Sequence, residues 1–135
     1  MREFQMPDIH SEKSIECIIP ILAVKDISVS LDYYVNALGF QKDWFYQKDA
    51  FAISGVSRDD LSIYLCQGPQ GNPSTWVWIG VANVDDFYEQ CKSRRARIRQ
   101  APTNYSWAYE MRVEDPDGHV LRIGSDSKAN EPYND

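Results

Sequence analysis

The chain has 135 residues, of which 43% are hydrophobic and 25% charged, so it is long enough for one compact domain with a real core and too short for two independent domains. A net charge of −6 argues against nucleic acid as the main partner, because binding to phosphates requires a basic surface. No apolar stretch approaches the roughly 18 residues needed to span a bilayer, and the charged segment Met1–Ser14 lacks the hydrophobic centre of an export signal. We therefore expect a cytoplasmic protein with neither a membrane nor a nucleic acid as partner.

The cysteines Cys17, Cys66 and Cys91 are odd in number and follow no metal-ligand spacing. We expect them to be free thiols, buried or half-buried, in a reducing compartment.

The first half of the chain is predicted to form a strand, a helix and three further strands. Apolar residues alternate over residues 16–24, as in a strand with at least one buried face. Asp26 or Ser28 can cap the helix that follows, and Gly39 ends its apolar pattern in the way of a C-terminal cap. The next strands are predicted over residues 42–47, 50–55 and 61–66.

The second half repeats this order after a loop, residues 68–74, that contains two prolines and two glycines. A strand over residues 75–82 leads into a helix that Asn83 or Asp85 can cap and that runs to about Arg95. The last strands are predicted over residues 96–100, 105–113 and 119–124. The polar residues that follow predict a mobile C-terminal tail.

The two halves are about 57 residues apart and share one order of elements. A fixed internal period of this kind indicates a duplicated structural unit. The sequence therefore predicts an N-terminal arm (1–15), a single domain of two βαβββ units (16–67 and 75–124, joined by the linker 68–74) and a tail (125–135). Paired positions in two such units can line one shared cavity.

Several motifs follow one another along the two units. They are Pro20-Ile21-Leu22-Ala23-Val24-Lys25-Asp26, Ser30-Leu31-Asp32-Tyr33-Tyr34, Leu38-Gly39-Phe40, Trp76-Val77-Trp78-Ile79-Gly80-Val81 and Asp115-Pro116-Asp117-Gly118-His119-Val120-Leu121-Arg122. With this set the chain resembles the vicinal oxygen chelate superfamily, and within it the glyoxalase/bleomycin resistance proteins. The resemblance covers Glu16 to Gly124. It implies an α+β fold in which two βαβββ modules form a cup-shaped mixed sheet, and it implies a homodimer.

Metal-dependent members of this superfamily place one ligand on the first strand and one on the last strand of each module. By this resemblance, the ligand positions fall on Ile19 and Tyr64 in the first module and on Trp76 and Arg122 in the second. An apolar side chain cannot bind a divalent metal ion, and a guanidinium repels a cation. We therefore predict no metal, no cofactor and no catalytic residue.

Aromatic side chains and a few charges take the place of the metal ligands. Trp76 and Trp78 lie on one side of their strand, because alternate residues do. The predicted ligand-binding residues are Trp44, Tyr64, Trp76, Trp107, Tyr109, Glu110 and Arg122. Phe51 and Trp78 suit either this cavity or the core. Aromatic walls of this kind hold planar or cationic ligands by stacking and by cation–π attraction.

The remaining polar groups of interest have simpler interpretations. Glu110 can pair with Arg112 or Arg122, either to stabilise the hairpin or to recognise a polar ligand, and the two roles are compatible. We expect His10 and His119 at the surface. The basic run over residues 92–99 is expected to be a solvated helix end, where cations oppose the helix dipole favourably.

Two functions from different classes remain. The first is a metal-free binding protein that sequesters an aromatic or cationic small molecule, such as bleomycin, in a cavity at or near a dimer interface. The second is a metal-dependent lyase or oxidoreductase of the glyoxalase or dioxygenase type. The unsuitable residues at the metal-ligand positions favour the binding protein.

Overall fold

A computed structural model of the chain describes residues 14–135. Each half contributes one four-stranded sheet, and the strand orders are β1-β4-β3-β2 and β5-β8-β7-β6. The elements are β1 (Ile21–Ala23), α1 (Ile27–Asp32) with its π-helical continuation Tyr33–Ala37, β2 (Gln41–Lys48), β3 (Phe51–Arg58), β4 (Leu61–Gln67), β5 (Trp76–Gly80), α2 (Val84–Ser93), β6 (Arg97–Asn104), β7 (Tyr109–Glu114) and β8 (Val120–Ser125). The predicted α+β fold of two βαβββ modules is confirmed.

The register of the strands reproduces the repeat seen in the sequence. Ile21 in β1 lies opposite Tyr64 in β4, and Trp78 in β5 lies opposite Arg122 in β8. Trp78 follows Ile21 by 57 residues, and Arg122 follows Tyr64 by 58. The first strand of each module pairs in parallel with the last, and the other strands pair antiparallel. The two modules are therefore equivalent residue by residue at the positions that matter for the site.

Two strands differ from the sequence prediction in their bounds. The first strand is shorter than residues 16–24, because Pro20 has no N–H group and offers only its carbonyl, which accepts from Tyr64 N at 2.9 Å. β6 runs on to Asn104 instead of ending near Gln100, because two register shifts interrupt its alternation.

Both helices begin at side-chain caps that the sequence offers. The Asp26 carboxylate accepts from the backbone N–H groups of Ser28 and Val29, and the Asn83 side chain accepts from that of Asp86. Gly39 follows the first helix with a φ of 74°, the left-handed conformation that glycine adopts at lowest cost. No helix of the described residues is long and apolar enough to cross a membrane.

The helices and one face of each sheet enclose a single core that both modules share. Alternate residues of the strands contribute to this core, as the period of two requires. Its members include Leu22, Tyr34, Leu38, Ile63 and Leu65 from the first module and Phe87, Met111, Val113, Leu121 and Ile123 from the second. Cys66 and Cys91 are buried free thiols as expected, whereas Cys17 is exposed because it precedes β1.

The hairpin over residues 115–119, which we call the clamp, joins the two modules. The Asp115 carboxylate is fully buried and accepts from the Tyr34 hydroxyl at 2.8 Å and from the backbone N–H groups of Asp117 and His119. Asp117 in turn accepts from Lys25 N and from the Ser30 hydroxyl beside the start of α1. The clamp, which begins the last of the motifs quoted above, therefore connects the second module to the first.

The prediction that His119 lies at the surface is wrong. His119 is fully buried; its Nδ1 accepts from Thr75 N at 2.9 Å, and its Nε2–H donates to the Ala23 carbonyl at 2.6 Å. The imidazole satisfies one backbone group from each module, at the end of β1 and just before β5, which is why it is buried without a charged partner. His10 lies outside the described residues.

The C-terminal tail, predicted to be mobile from its composition, lies against the second module. The Asn104 side chain is buried and bonds to the backbone of Lys128, Glu131 and Pro132. The Asn104 carbonyl also accepts from Asn134. The basic run is exposed over residues 92–95, and Lys92 pairs with Glu89 at 2.9 Å.

Candidate functional site

No helix within residues 14–135 covers the opposite face of each sheet, and all four tryptophans of the chain lie along these surfaces. Trp44, Trp76, Trp78 and Trp107 are 38%, 50%, 48% and 57% exposed. We call the two surfaces the first open face (β1–β4) and the second open face (β5–β8). Tryptophan has the largest area of any side chain to bury, so several exposed indoles on one surface indicate a site of ligand or partner contact.

The first open face is apolar. A row of opposed residues crosses the sheet from Ile21 through Tyr64 and Gly55 to Trp44. The Trp44 indole lies directly over Gly55, where a Cβ atom would be 2.3 Å from the indole nitrogen. Its ring meets that of Tyr64 edge to face at 4.9 Å. Gly55 therefore provides the space in which Trp44 is held against the sheet.

The equivalent row of the second open face is polar. It runs from Trp78 through Arg122 and Arg112 to Gln100. The Trp78 ring lies over Gly124, where a Cβ atom would be 2.2 Å from it, and the Arg122 guanidinium lies 5.1 Å from the ring centroid. The duplicated positions thus share their geometry and differ in their chemistry.

Glu110 organises the charges of the second open face. Its carboxylate is fully buried and accepts from Arg122 Nε at 2.9 Å, from a terminal nitrogen of Arg122 at 2.8 Å and from the Trp107 indole at 2.9 Å. The hydrogen bonds from Arg122 lower the pKa of Glu110 below its ordinary value, and the same bonds raise the pKa of Arg122. The predicted ion pair with Arg122 is therefore present and holds both charges.

Two further guanidinium groups lie close to the Trp76 ring. Arg99 and Arg112 lie 5.5 and 5.4 Å from the centroid of its ring. Arg112 Nε is 3.6 Å from Glu110, too far for a hydrogen bond, and among residues 14–135 this buried nitrogen has no hydrogen-bond acceptor. The buried Nε2 of Gln100, the neighbour of Arg112 in the row, also lacks an acceptor among these residues. Two adjacent donors are thus left without acceptors on this face.

The structure brings most of the predicted binding residues together in two groups. Trp76, Trp107, Glu110 and Arg122 lie on the second open face, and Trp44 and Tyr64 lie on the first. Trp78 and Phe51, for which the sequence allowed either the cavity or the core, also lie on the open faces. Trp78 contacts Arg122 there, and Phe51 packs on the exposed Tyr46.

Tyr109 lies elsewhere than predicted. It alternates with Glu110 along β7 and therefore points to the helix-covered side, where its hydroxyl bonds to Asp85 of α2. Its ring contacts the Lys128 ammonium at 4.1 Å. Arg99 and Gln100 were not predicted as site residues, because the register shifts in β6 hide which side of the strand they occupy.

The residues at the family's ligand positions do not fit a divalent metal. Arg122 carries a positive charge that Glu110 already engages, and Trp76 is flanked by two guanidinium groups. Ile19 offers no ligand atom. No group of three histidine, cysteine, aspartate or glutamate residues within residues 14–135 could hold an ion. This surface has the chemistry of an aromatic and guanidinium site.

A separate apolar pocket of about 460 Å³ lies between the modules on the helix-covered side. Its lining includes Leu38, Phe40, Ile63, Val77, Ile79 and Leu121. A shallower depression on the second open face is lined by Trp78, Gly80, Trp107, Gly124 and Asp126 among others. Trp78 lines both, whereas Trp107, which was predicted to bind a ligand, lines only the second.

Known structures show the same fold. The antibiotic-binding protein TnmS3 from Streptomyces sp. CB03234 is 20% identical, with a TM-score of 0.71 over 86% of this chain and 100% of its own. A glyoxylase/bleomycin resistance protein/dioxygenase domain from Frankia sp. EAN1pec is 14% identical, with a TM-score of 0.69 over 87% and 96%. The virulence protein STM3117 from Salmonella typhimurium is 19% identical, with a TM-score of 0.66 over 84% and 99%. At these identities the likeness shows the fold alone.

No curated protein matches the sequence. The profile of the Glyoxalase/Bleomycin resistance protein/Dioxygenase superfamily, however, matches residues 15–123, which span both modules and both open faces. The chain therefore belongs to the Glyoxalase/Bleomycin resistance protein/Dioxygenase superfamily.

Proposed function

We propose that the protein binds and sequesters a planar aromatic small molecule on its open faces without using a metal. The observation that carries this proposal is the placement of all four tryptophans on these faces. In a protein with no ligand or partner, burial of these indoles in the core would contribute about 25 cal/mol for each Å² removed from water. The exposed indoles contribute none of this free energy to folding, and a ligand that covers them gains it on binding.

The indoles are also held in place. Trp44 lies over Gly55 and Trp78 lies over Gly124, so each ring is seated on the sheet at a position where no other residue would leave room for it. Trp107 donates to Glu110, and the Trp76 ring is in contact with two guanidinium groups. Rings that are already ordered lose little entropy when a planar ligand stacks on them, which favours binding.

A homodimer supplies the enclosure that a single chain lacks. Each open face is a wall with exposed aromatic residues, and opposing the first open face of one subunit to the second open face of its partner would close a cavity between them. One wall of this cavity would be apolar, and the other would be rich in arginine. The antibiotic-binding function stated for TnmS3, which shares the fold, is consistent with a ligand of drug-like size. Bleomycin is one candidate.

The four indole N–H groups provide a direct test, because every one of them lies on an open face. Titration of ¹⁵N-labelled protein with the neutral probe 2-naphthamide, and separately with metal-free bleomycin, should shift indole signals in the NMR spectrum. Trp76→Ala should weaken binding of a bound probe by about tenfold, which corresponds to the roughly 1.4 kcal/mol of one aromatic or cation–π contact. Tyr133→Ala, which removes an exposed ring from the tail, is the matched control and should have no effect.

Two results would contradict the proposal. Neither probe shifting any indole signal at millimolar concentration would argue against an aromatic ligand on these faces. Stoichiometric, tightly bound zinc, nickel, manganese or iron in the purified protein would instead favour the metal-dependent enzymes of the superfamily.

A further inference from the structure

We propose that the ligand is an aromatic anion, whose carboxylate lies beside Arg99 and Arg112 and whose ring lies against Trp78 and Trp107. This inference rests on the proposed binding function and adds the charge and the orientation of the ligand. It selects the anionic class of aromatic ligand over the cationic one.

The first argument is the local excess of positive charge in an acidic protein. The chain has a net charge of −6, yet Arg99, Arg112 and Arg122 all contact the indoles of one face. The Glu110 carboxylate already accepts three hydrogen bonds from Arg122 and Trp107, and it lies 3.6 Å from Arg112 Nε. Arg99 has no ion-pair partner within residues 14–135. The two guanidinium groups beside Trp76 therefore lack a full counter-charge in the described chain, which a bound carboxylate would provide.

The second argument concerns hydrogen bonding. Arg112 Nε and Gln100 Nε2 are buried donors without an acceptor among the described residues, and they come from opposed residues of β6 and β7. Opposed side chains lie on one side of a sheet, so both donors reach the same space. A carboxylate has two oxygen atoms that accept several hydrogen bonds and could serve both donors. An ammonium group in the same place offers no acceptor and would leave them unsatisfied.

Contact with the Trp76 ring leaves N–H groups of both guanidinium groups available. Each guanidinium carries five N–H donors in a planar fork, and contact with one ring cannot occupy all of them. Arg99 and Arg112 can therefore contact Trp76 and at the same time donate to a carboxylate. Arginine in this arrangement binds planar oxyanions through paired hydrogen bonds.

The distribution of charge along the face sets the orientation. The depression around Trp78 and Trp107 has open space beside Gly80, where an added Cβ would meet only the Trp78 nitrogen, at 3.7 Å. Asp126 also lines this end and repels an anionic group from it. The aromatic ring therefore belongs beside the indoles, and the carboxylate beside the two arginines.

Three probes that share one ring separate charge from stacking. The affinities of 2-naphthoate, 2-naphthamide and 2-naphthylmethylammonium are to be measured by calorimetry at pH 7. We expect 2-naphthoate to bind about tenfold more tightly than the amide, as expected for a charge-assisted hydrogen bond, and the ammonium to bind most weakly. Raising the salt concentration should weaken binding of the acid and leave that of the amide unchanged.

Single variants then locate the carboxylate. Arg99→Gln and Arg112→Gln should each reduce the preference for the acid over the amide to about threefold or less, with little change in affinity for the amide. Arg99 is exposed, so its replacement tests the site even if Arg112→Gln impairs folding. Arg95→Gln, which removes an exposed arginine at the end of α2, is the matched control and should keep the full preference.

Three results of these titrations would contradict the inference, and each would contradict a different part of it. Equal binding of acid and amide, or preference for the ammonium, would overturn the anion inference and leave the proposed function intact. Binding of the acid with a preference that survives both arginine variants would overturn the assigned position. No binding of any probe at millimolar concentration would overturn the proposed function together with this inference.

Discussion

Arg122 donates two hydrogen bonds to the carboxylate of Glu110, whose side chain has no exposed surface. Removal of one partner from such a pair leaves the other charge without compensation in a desolvated place, and this costs more than the intact pair contributes. The pair also fixes the position of Trp107, which donates to the same carboxylate. The charged part of the second open face therefore depends on one glutamate.

The first prediction concerns Glu110→Gln. This change keeps the shape of the side chain and removes its charge, so we expect the free energy of unfolding to fall by about 2 kcal/mol, less than for a fully buried pair because Arg122 is one-third exposed. Urea unfolding at pH 7 measures it. A variant as stable as the wild type would show that Arg122 finds full compensation in water.

The pH dependence of that difference is a second prediction. The pKa of Glu110 is lowered in the folded protein by the hydrogen bonds from Arg122, so its stabilising effect is complete above its unfolded pKa of about 4.3 and is lost as the pH falls through the folded value. The gap in unfolding free energy between the wild type and Glu110→Gln should stay constant from pH 7 to about pH 5 and shrink below about pH 4. A gap that grows on acidification would contradict the assigned cause.

The third prediction tests the position of the Trp78 ring over Gly124. Gly124→Ala places a methyl group where the indole lies, and because that indole is the free end of a side chain, the ring should move while the fold remains. We expect a loss of stability below about 1.5 kcal/mol and roughly tenfold weaker binding of 2-naphthoate, with a shifted Trp78 indole signal.

Gly80→Ala is the control for this change. Gly80 lies opposite Gly124 across the strand pair, but a Cβ there has room. The two variants therefore share secondary structure and differ in whether they displace the ring. Because Gly80 itself lines the depression, the comparison concerns the Trp78 ring and not the affinity. If Gly80→Ala shifts the Trp78 indole signal as much as Gly124→Ala does, the methyl group over Gly124 is not what displaces the ring.

The fourth prediction concerns the clamp. Tyr34→Phe removes the hydroxyl that donates to Asp115 at 2.8 Å, and burial already raises the pKa of Asp115, so the loss of one donor should cost about 1–3 kcal/mol of unfolding free energy. Tyr46→Phe, at an exposed position of β2, should change the stability by less than about 0.5 kcal/mol. Equal effects of the two substitutions in thermal unfolding would show that the Tyr34 hydroxyl contributes nothing.

The sequence revealed the duplicated fold because its signals are local. The caps at Asp26 and Asn83, the glycine at residue 39 and the apolar alternation all act within a few residues, and the register of Ile21 and Trp78 follows from the period between them. Alternation along a regular strand likewise placed Trp76 and Glu110 on one surface. The same alternation places Tyr109, the neighbour of Glu110 along β7, on the opposite side.

Long-range contacts were the part that local patterns did not reveal. His119 is buried because it bonds to Ala23, 96 residues away, and no pattern near residue 119 records this. Arg99 reaches Trp76 only because the register of β6 shifts, and such shifts have no sequence period of their own. The charge of the second open face therefore emerged only from the assembled structure.

The clamp has a consequence for how the two halves of the chain can diverge. Because the shared core and the contacts of Asp115 and His119 hold the modules together on the helix-covered side and at one hairpin, neither open face is needed for that union. Substitutions on one face leave its duplicate unaffected. The row of Tyr64 is apolar, and the row of Arg122 is charged. If the protein binds its ligand as proposed, the duplication supplies two walls of one binding site whose chemistry can vary independently.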